Sequence, residues 1–383
     1  MADEVVPTNS KLFLTFLKLG FTAFGGPAMP VYLRKEIVDR KHWMDGQSFD
    51  AGLALSQVIP GATIMQLSTY IGLKLKGIWG ALLCFFAFGF PSFLIMLGLS
   101  ILYKNFHHID FIETILGTLR IIVVAIIAHA TFIFGKKNFS SINDVAIGII
   151  AAILFLLNLH PALVVGISVI LGLILTRNDK PGFPSAGKNK TLNFFLILSG
   201  LSVVTIILFY ILYPQYFSLA TVMLRIGFFS FGGGVGAVPM MYHEIVALFG
   251  WMDNKTLADG IVLGQVTPGS LIITATFAGY YHLGVPGGII ATIFVFIPSL
   301  LILMAIIPFF DRLSLHPNFR KIINGILCSF VGLLLITAIH FGIDVAWNPF
   351  NIAIGISSLA LLMARVNIPW LIAGGLVLSL FTM

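Results

Sequence analysis

Four places in the chain put glycine or proline where an apolar helix would not tolerate them. Gly25, Gly26 and Pro27 lie in LGFTAFGGPAMP (19–30), and Gly232, Gly233 and Gly234 in IGFFSFGGGVGAVP (226–239). Pro60–Gly61 and Pro268–Gly269 end the strings QVIPG and QVTPG, which open on Gln57 and Gln265. Such residues remove side-chain restraint and a backbone donor, so a helix stops there and restarts. A restarting helix presents unpaired N–H groups and the positive end of its dipole, an anion site that needs no full charge. Four turns of this kind suit an anion with several acceptor oxygens. Lys18 and Arg225 each stand seven residues before a Gly–Gly pair, on roughly the face of the turn. Arg120 lies inside an apolar span, where a charge is a functional hypothesis by default. These three are the candidate cationic contacts.

Blander roles compete at several of these positions. Glycines also let helices pack closely in membranes, long basic chains snorkel, and Arg120 stands two turns from Glu113, a natural ion-pair partner. Glu36 and Glu244, each in an EIV string, are candidate coupling carboxylates, with loop pairing as the alternative. Asp45 and Asp253, each in WMD, stand where a helix start needs an N-cap. Cys84 and Cys328 are isolated in apolar runs, and His129, His340 and the His107–His108 pair form no metal spacing. No metal, cofactor or catalytic group is expected. FGGGVG lacks the Gly-Lys-Ser/Thr that a nucleotide loop requires.

The elements that must hold these residues are membrane helices. Of 383 residues 58% are apolar or aromatic and 10% charged, against about 25% charged in soluble domains. The net charge of +7 sits in short loops beside apolar spans, so orientation in the bilayer explains it and nucleic acid is not an expected partner. The N-terminal MADEVVPTNS lacks a signal peptide's positive charge, and uncleaved insertion is expected.

The chain also repeats itself. An offset of 207 to 208 residues superposes EIV (36–38 and 244–246), WMD (43–45 and 251–253), and QVIPG on QVTPG. YIG (70–72) then meets FAG (277–279), FPSFLIML (90–97) meets IPSLLILM (297–304), and VAIGI (145–149) meets IAIGI (352–356). The expected fold is therefore an all-α polytopic membrane protein. A first repeat at 11–176 is followed by a basic loop and one linking transmembrane helix at 177–213, then a second repeat at 217–383. If each repeat crosses the bilayer an even number of times, one linking helix inverts the second, the usual architecture of secondary transporters.

With the N-terminus cytoplasmic, most Lys and Arg fall inside, except Lys104 and, in one loop, Arg34, Lys35, Arg40 and Lys41. The four residues of that loop fall inside too if residues 11–40 and 48–73 are re-entrant, turning at Gly25–Pro27 and at Pro60–Gly61. Each arm would be roughly 16 to 21 Å long, about half a bilayer.

Taken together, the FGGP and FGGG turns, the doubled EIV with WMD, and the QxxPG element followed by YIG resemble the chromate ion transporter family. The resemblance covers both halves, like the family's long form with two homologous domains in one chain. It implies export of chromate across the bacterial cytoplasmic membrane and chromate resistance, with sulfate as a related oxyanion and membrane lipid and a candidate homodimer as surroundings. Some members carry a histidine shortly after the first Gly–Gly–Pro, where this chain has Met29 and Pro30, which bears on substrate identity. An anion channel would use the same turns, and a membrane-embedded chromate reductase lacks any flavin, dinucleotide or haem signature.

Overall fold

A computed structural model describes residues 7–22, 29–176, 191–231 and 234–379. Gly25, Gly26, Pro27, Gly232 and Gly233 lie outside the described residues. Every regular element among the described residues is helical. Helix α1, Asn9–Thr22, has 14 residues, and α3, Gly46–Val58, has 13. Each is about 20 Å long at 1.5 Å per residue, short of the ~30 Å hydrocarbon core. Between them α2, Met29–Arg34, runs into a widened π-helical stretch, Lys35–Arg40.

Helix α4, Thr63–Phe106, is broken at Lys76 (φ −140°) and Gly77 (φ 63°, ψ −150°), the second a conformation that suits glycine. Across the break the chain folds back on itself. A β-carbon on Gly72 or on Gly80 would collide with the other's carbonyl oxygen. Residues 63–76 therefore form another half-length arm, and the full-length span begins at Gly77.

The second repeat follows the same course through α9, Pro214–Phe228, and α10, Val238–Met241, which runs into a π-helical stretch, Tyr242–Leu248. Helix α11, Asn254–Val266, leads to α12, Thr274–Ile306, broken at Leu283 and Gly284 (φ 67°, ψ −156°). Gly279 and Gly287 there repeat the clash of Gly72 and Gly80.

The doubled EIV and WMD strings encode backbone geometry. The amide of Lys41 donates to the Glu36 carbonyl at 3.1 Å and that of Trp43 to Ile37 at 3.0 Å. In the second repeat Phe249 donates to Glu244 at 3.0 Å and Trp251 to Ile245 at 2.9 Å. Asp45 then accepts the Ser48 amide at 2.9 Å and Asp253 the Thr256 amide at 2.8 Å, N-caps each worth about 1 kcal/mol.

The remaining helices are α5, Asp110–Asn138; α6, Ile142–Leu156; α7, Pro161–Leu175; α8, Leu192–Leu212; α13, Phe310–Leu315; α14, Pro317–Ile343; α15, Pro349–Met363; and α16, Ile368–Ser379. Among the described residues five stretches are long and apolar enough to cross a bilayer: Thr63–Phe106, Asp110–Asn138, Leu192–Leu212, Leu271–Ile306 and Asn318–Ile343. The chain is an all-α polytopic membrane protein.

It packs as two units, each taking segments from both repeats. The first comprises Met1–Leu97, Lys180–Gly234 and Thr267–His316, the second Gly98–Asp179, Val235–Val266 and Pro317–Met383. Within the first, a β-carbon at Gly20 of α1 would stand 2.5 Å from the Phe88 carbonyl oxygen of α4, and Gly227 of α9 makes the equivalent approach to Val295 of α12. Within the second, α14 packs on α5, α6 and α7, with Gly325 against the Ser168 carbonyl and Gly332 against that of Gly148. Small residues at these crossings let backbones touch where lipid supplies no hydrophobic drive.

Candidate anion site

Each Pro–Gly turn is closed by residues of the other repeat, within the first unit. At Pro60–Gly61 the Gly61 amide donates to the Ser230 carbonyl and the Ala62 amide donates to Ser299 Oγ at 2.8 Å. Gln66 Nε2 donates to the Pro60 carbonyl at 2.6 Å and to that of Ser299 at 3.4 Å. At Pro268–Gly269 the Ser92 hydroxyl donates to the Pro268 carbonyl at 2.6 Å. Ser92 and Ser299 are matched by the repeat, so each half lends the other the serine of its Pro–Ser pair.

The glycines are required by backbone torsion and by space. Gly61, Gly234 and Gly269 have φ of 125°, 111° and 100°, where side chains are strained. A β-carbon at Gly61 would stand 2.7 Å from Ser299 Oγ and one at Gly234 3.0 Å from Ser270 Oγ, while one at Gly269 would collide with Ser92 Oγ.

Polar atoms at these turns remain unspent. Ser230 is fully buried and Ser270 is 4% exposed, yet among the described residues neither hydroxyl has a hydrogen-bond partner, nor has Gln66 Oε1. A buried polar group left unpaired costs about 1–3 kcal/mol, so these atoms beside the Pro–Gly turns are candidates to meet a polar ligand.

The family model described as Chromate transporter matches residues 10–173 and again 217–380. The chain belongs to the chromate transporter family. An uncharacterized transporter of Methanocaldococcus jannaschii is 42% identical over 379 residues, 97% of this chain and 94% of that one. A probable chromate transport protein of Synechococcus elongatus is 30% identical over 344 residues (86% and 84%), and a chromate transport protein of Cupriavidus metallidurans 27% over 329 (85% and 81%). No solved structure matches the chain.

In this chromate transporter family member the other sequence candidates are placed unequally. Gln57 is exposed and Gln265 half-buried; Gln66, one helical arm later, lies at the turn instead. Lys18 is exposed on α1 and Arg225 half-buried on α9. Glu36 pairs with Arg40 at 3.3 Å and Lys41 at 3.5 Å, the loop pairing that the sequence allowed. Glu244 is fully buried and meets His160 Nε2 at 3.0 Å. Because His160 Nδ1 accepts the Ala162 amide at 3.1 Å, the Nε2 hydrogen donates to Glu244. Arg120 is committed to carboxylates: to Glu113 at 2.9 Å, and through Nε and Nη2 to Asp259 at 2.6 and 2.8 Å.

Outside the spans, the Ser48 side-chain and backbone hydrogen bonds hold the Asp45 carboxyl below its ordinary value. For Asp253 burial, the largest single influence, pushes upward, but the Thr256 bonds together with the charges of Arg120 and Lys255 bring the net shift down. The repeat could have pointed to Ser92 and Ser299 through FPS and IPS; Ser230 and Ser270 carry no comparable signal beyond their place beside the turns.

Proposed function

We propose that this chain is a secondary transporter that exports chromate across the cytoplasmic membrane by alternating access and so confers chromate resistance. The observation that carries this reading is the pair of buried, unpartnered hydroxyls, Ser230 and Ser270, at glycine turns of left-handed backbone. A tetrahedral dianion offers acceptors to such hydroxyls and to the amides of the restarting helices. Lys18 and Arg225, seven residues before the Gly–Gly pairs, supply compensating charge, and Gly25, Gly26, Pro27, Gly232 and Gly233, outside the described residues, are the further candidates from the sequence. The names of the Synechococcus and Cupriavidus relatives support chromate as the anion. Sulfate, of the same shape and charge, competes for the site.

In this reading 11–176 and 217–383 are inverted repeats joined through 177–213, which contains α8, and the N-terminus is cytoplasmic. The test is radiolabelled chromate flux in vesicles containing the purified protein, with excess unlabelled sulfate and with Arg225→Ala and Ser230→Ala as further arms. Saturable flux that sulfate inhibits and both variants weaken is expected. Flux that never saturates would indicate a channel, and no chromate movement by folded protein would refute the substrate.

A further inference from the structure

The second unit holds a buried charge network that the anion site does not use. Asp259 of α11 is fully buried. Arg120 of α5 grips both its oxygens, and the Tyr103 hydroxyl at the end of α4 donates to Oδ2 at 2.9 Å. Arg120 also reaches Glu113, whose side chain is 52% exposed, whereas its own is 14% exposed. Beside this network opens a cleft of about 590 Å³, whose lining includes Arg120, Thr114, Thr118, Lys255, Asp344 and Asn351.

Charge bookkeeping argues against an anion here. One guanidinium faces two carboxylates, leaving a single negative charge, and Lys255 and Asp344 on the cleft wall cancel. The other elements packed on α11 add little: α16 carries no titratable side chain, α14 brings His340, and the π-helical stretch brings His243 and Glu244, the latter held by His160. Asp253, at the start of α11, is occupied as an N-cap. The network is also one-sided. At offsets of 207 or 208, Tyr103 corresponds to Phe310 or Asp311, Arg120 to Leu327 or Cys328, and Asp259 to Gly52 or Ala51. The turns recur in both halves, but this charge does not.

We propose that Asp259 is the proton-coupling carboxylate, reached through the cleft past Glu113 and Arg120. A proton from cleft water adds to an Asp259 oxygen; Arg120 keeps its charge and remains paired with Glu113. Neutral Asp259 no longer holds Arg120, so α11 is released from α5. The chain of α11 continues through Val266 directly into the Pro268–Gly269 turn, so that release bears on an arm of the anion site. This rests on the transporter reading above.

Full-length protein in vesicles separates the two claims. Tracer exchange, with equal chromate on both sides, reads binding and alternation; accumulation against an imposed pH difference reads coupling, with internal pH followed by a trapped dye. For one proton per anion, accumulation of the wild type changes about tenfold per unit of pH difference. Asp259→Asn is expected to keep exchange and lose this dependence. Tyr103→Phe removes one donor to the carboxylate and leaves the ion pair, so the midpoint of the pH profile should move to higher pH. An Asp259→Asn protein that still accumulates chromate as the wild type does overturns the proposal. So does wild-type exchange without any pH dependence, and, should Asp259→Asn fail to fold, an unmoved midpoint in Tyr103→Phe does so independently. Absence of wild-type exchange would instead defeat the transporter reading itself.

Discussion

Replacing Gly61 by alanine separates two demands on the glycine at a Pro–Gly turn. Its φ of 125° alone costs a side chain about 1–3 kcal/mol. The added β-carbon would also stand 2.5 Å from Gln66 Nε2 and 2.7 Å from Ser299 Oγ. Ser299 must then retreat from the Ala62 amide that it accepts at 2.8 Å. Ala62 is fully buried, and an amide stranded there costs about a further 1–3 kcal/mol. Gly77 is the internal control, with φ of 63° and nothing within 4 Å of an added β-carbon. Its replacement by alanine carries backbone strain alone, about 1–3 kcal/mol for a φ of 63° with ψ of −150°. Chemical unfolding of the purified protein in detergent, followed by tryptophan fluorescence, should therefore show Gly61→Ala as the more destabilised by at least about 1 kcal/mol. Chromate exchange should fall with it, while Gly77→Ala retains exchange. Equal losses in stability would refute the close-approach argument and leave backbone torsion as the whole reason for the glycine.

Removing the cap with Asp45→Ala should cost about 1 kcal/mol at neutral pH. Because Ser48 lowers the folded carboxyl value, this contribution is complete above the unfolded value of about 3.9 and is lost as pH falls through the lower folded one. The stability gap between wild type and variant should therefore close in acid, and a gap independent of pH would sink the cap assignment. A single cysteine at Lys41, with the buried Cys84 and Cys328 replaced, should react with an impermeant maleimide from the cytoplasmic side, and one at Lys255 from outside. Labelling of both from one side would exclude the inverted arrangement.

The repeat made the broken helices legible because periodicity survives in sequence wherever backbone geometry demands it. EIV recurs with the π-helical turn, WMD with the N-cap, and Pro–Gly with left-handed φ. The breaks at Gly77 and Gly284 lie outside the four turns that the sequence singled out. The polar partners were harder to read. Gln57 and Gln265 share the motif with the turns, yet Gln66 occupies the position beside Pro60. A motif records which residues recur, whereas a helix three residues further on decides which side chain faces the bend. Serine is likewise common in membrane helices, and only contact with the opposite repeat distinguishes Ser92 and Ser299 from serines that bond back to their own helix, as Ser168 does.

Asp259 was missed for the opposite reason: it does not recur. A search by repeat finds what both halves share, and the Pro–Gly turns closed by the opposite repeat belong to that class. In the proposed inverted arrangement, features that recur in both halves weigh inward and outward states alike, and only a feature that does not recur can bias one against the other. The carboxylate of Asp259, in the second repeat, meets the guanidinium of Arg120 and the phenol of Tyr103, both in the first, and the counterparts Ala51 or Gly52, Leu327 or Cys328, and Phe310 or Asp311 do not repeat these three residue types, which is such a difference. In the sequence Arg120 stands out as an intramembrane charge, and the structure pairs it with Glu113 and Asp259. Its partner could be found only once the fold brought residue 259 beside residue 120, because a buried cation identifies a site by the carboxylate that neutralises it.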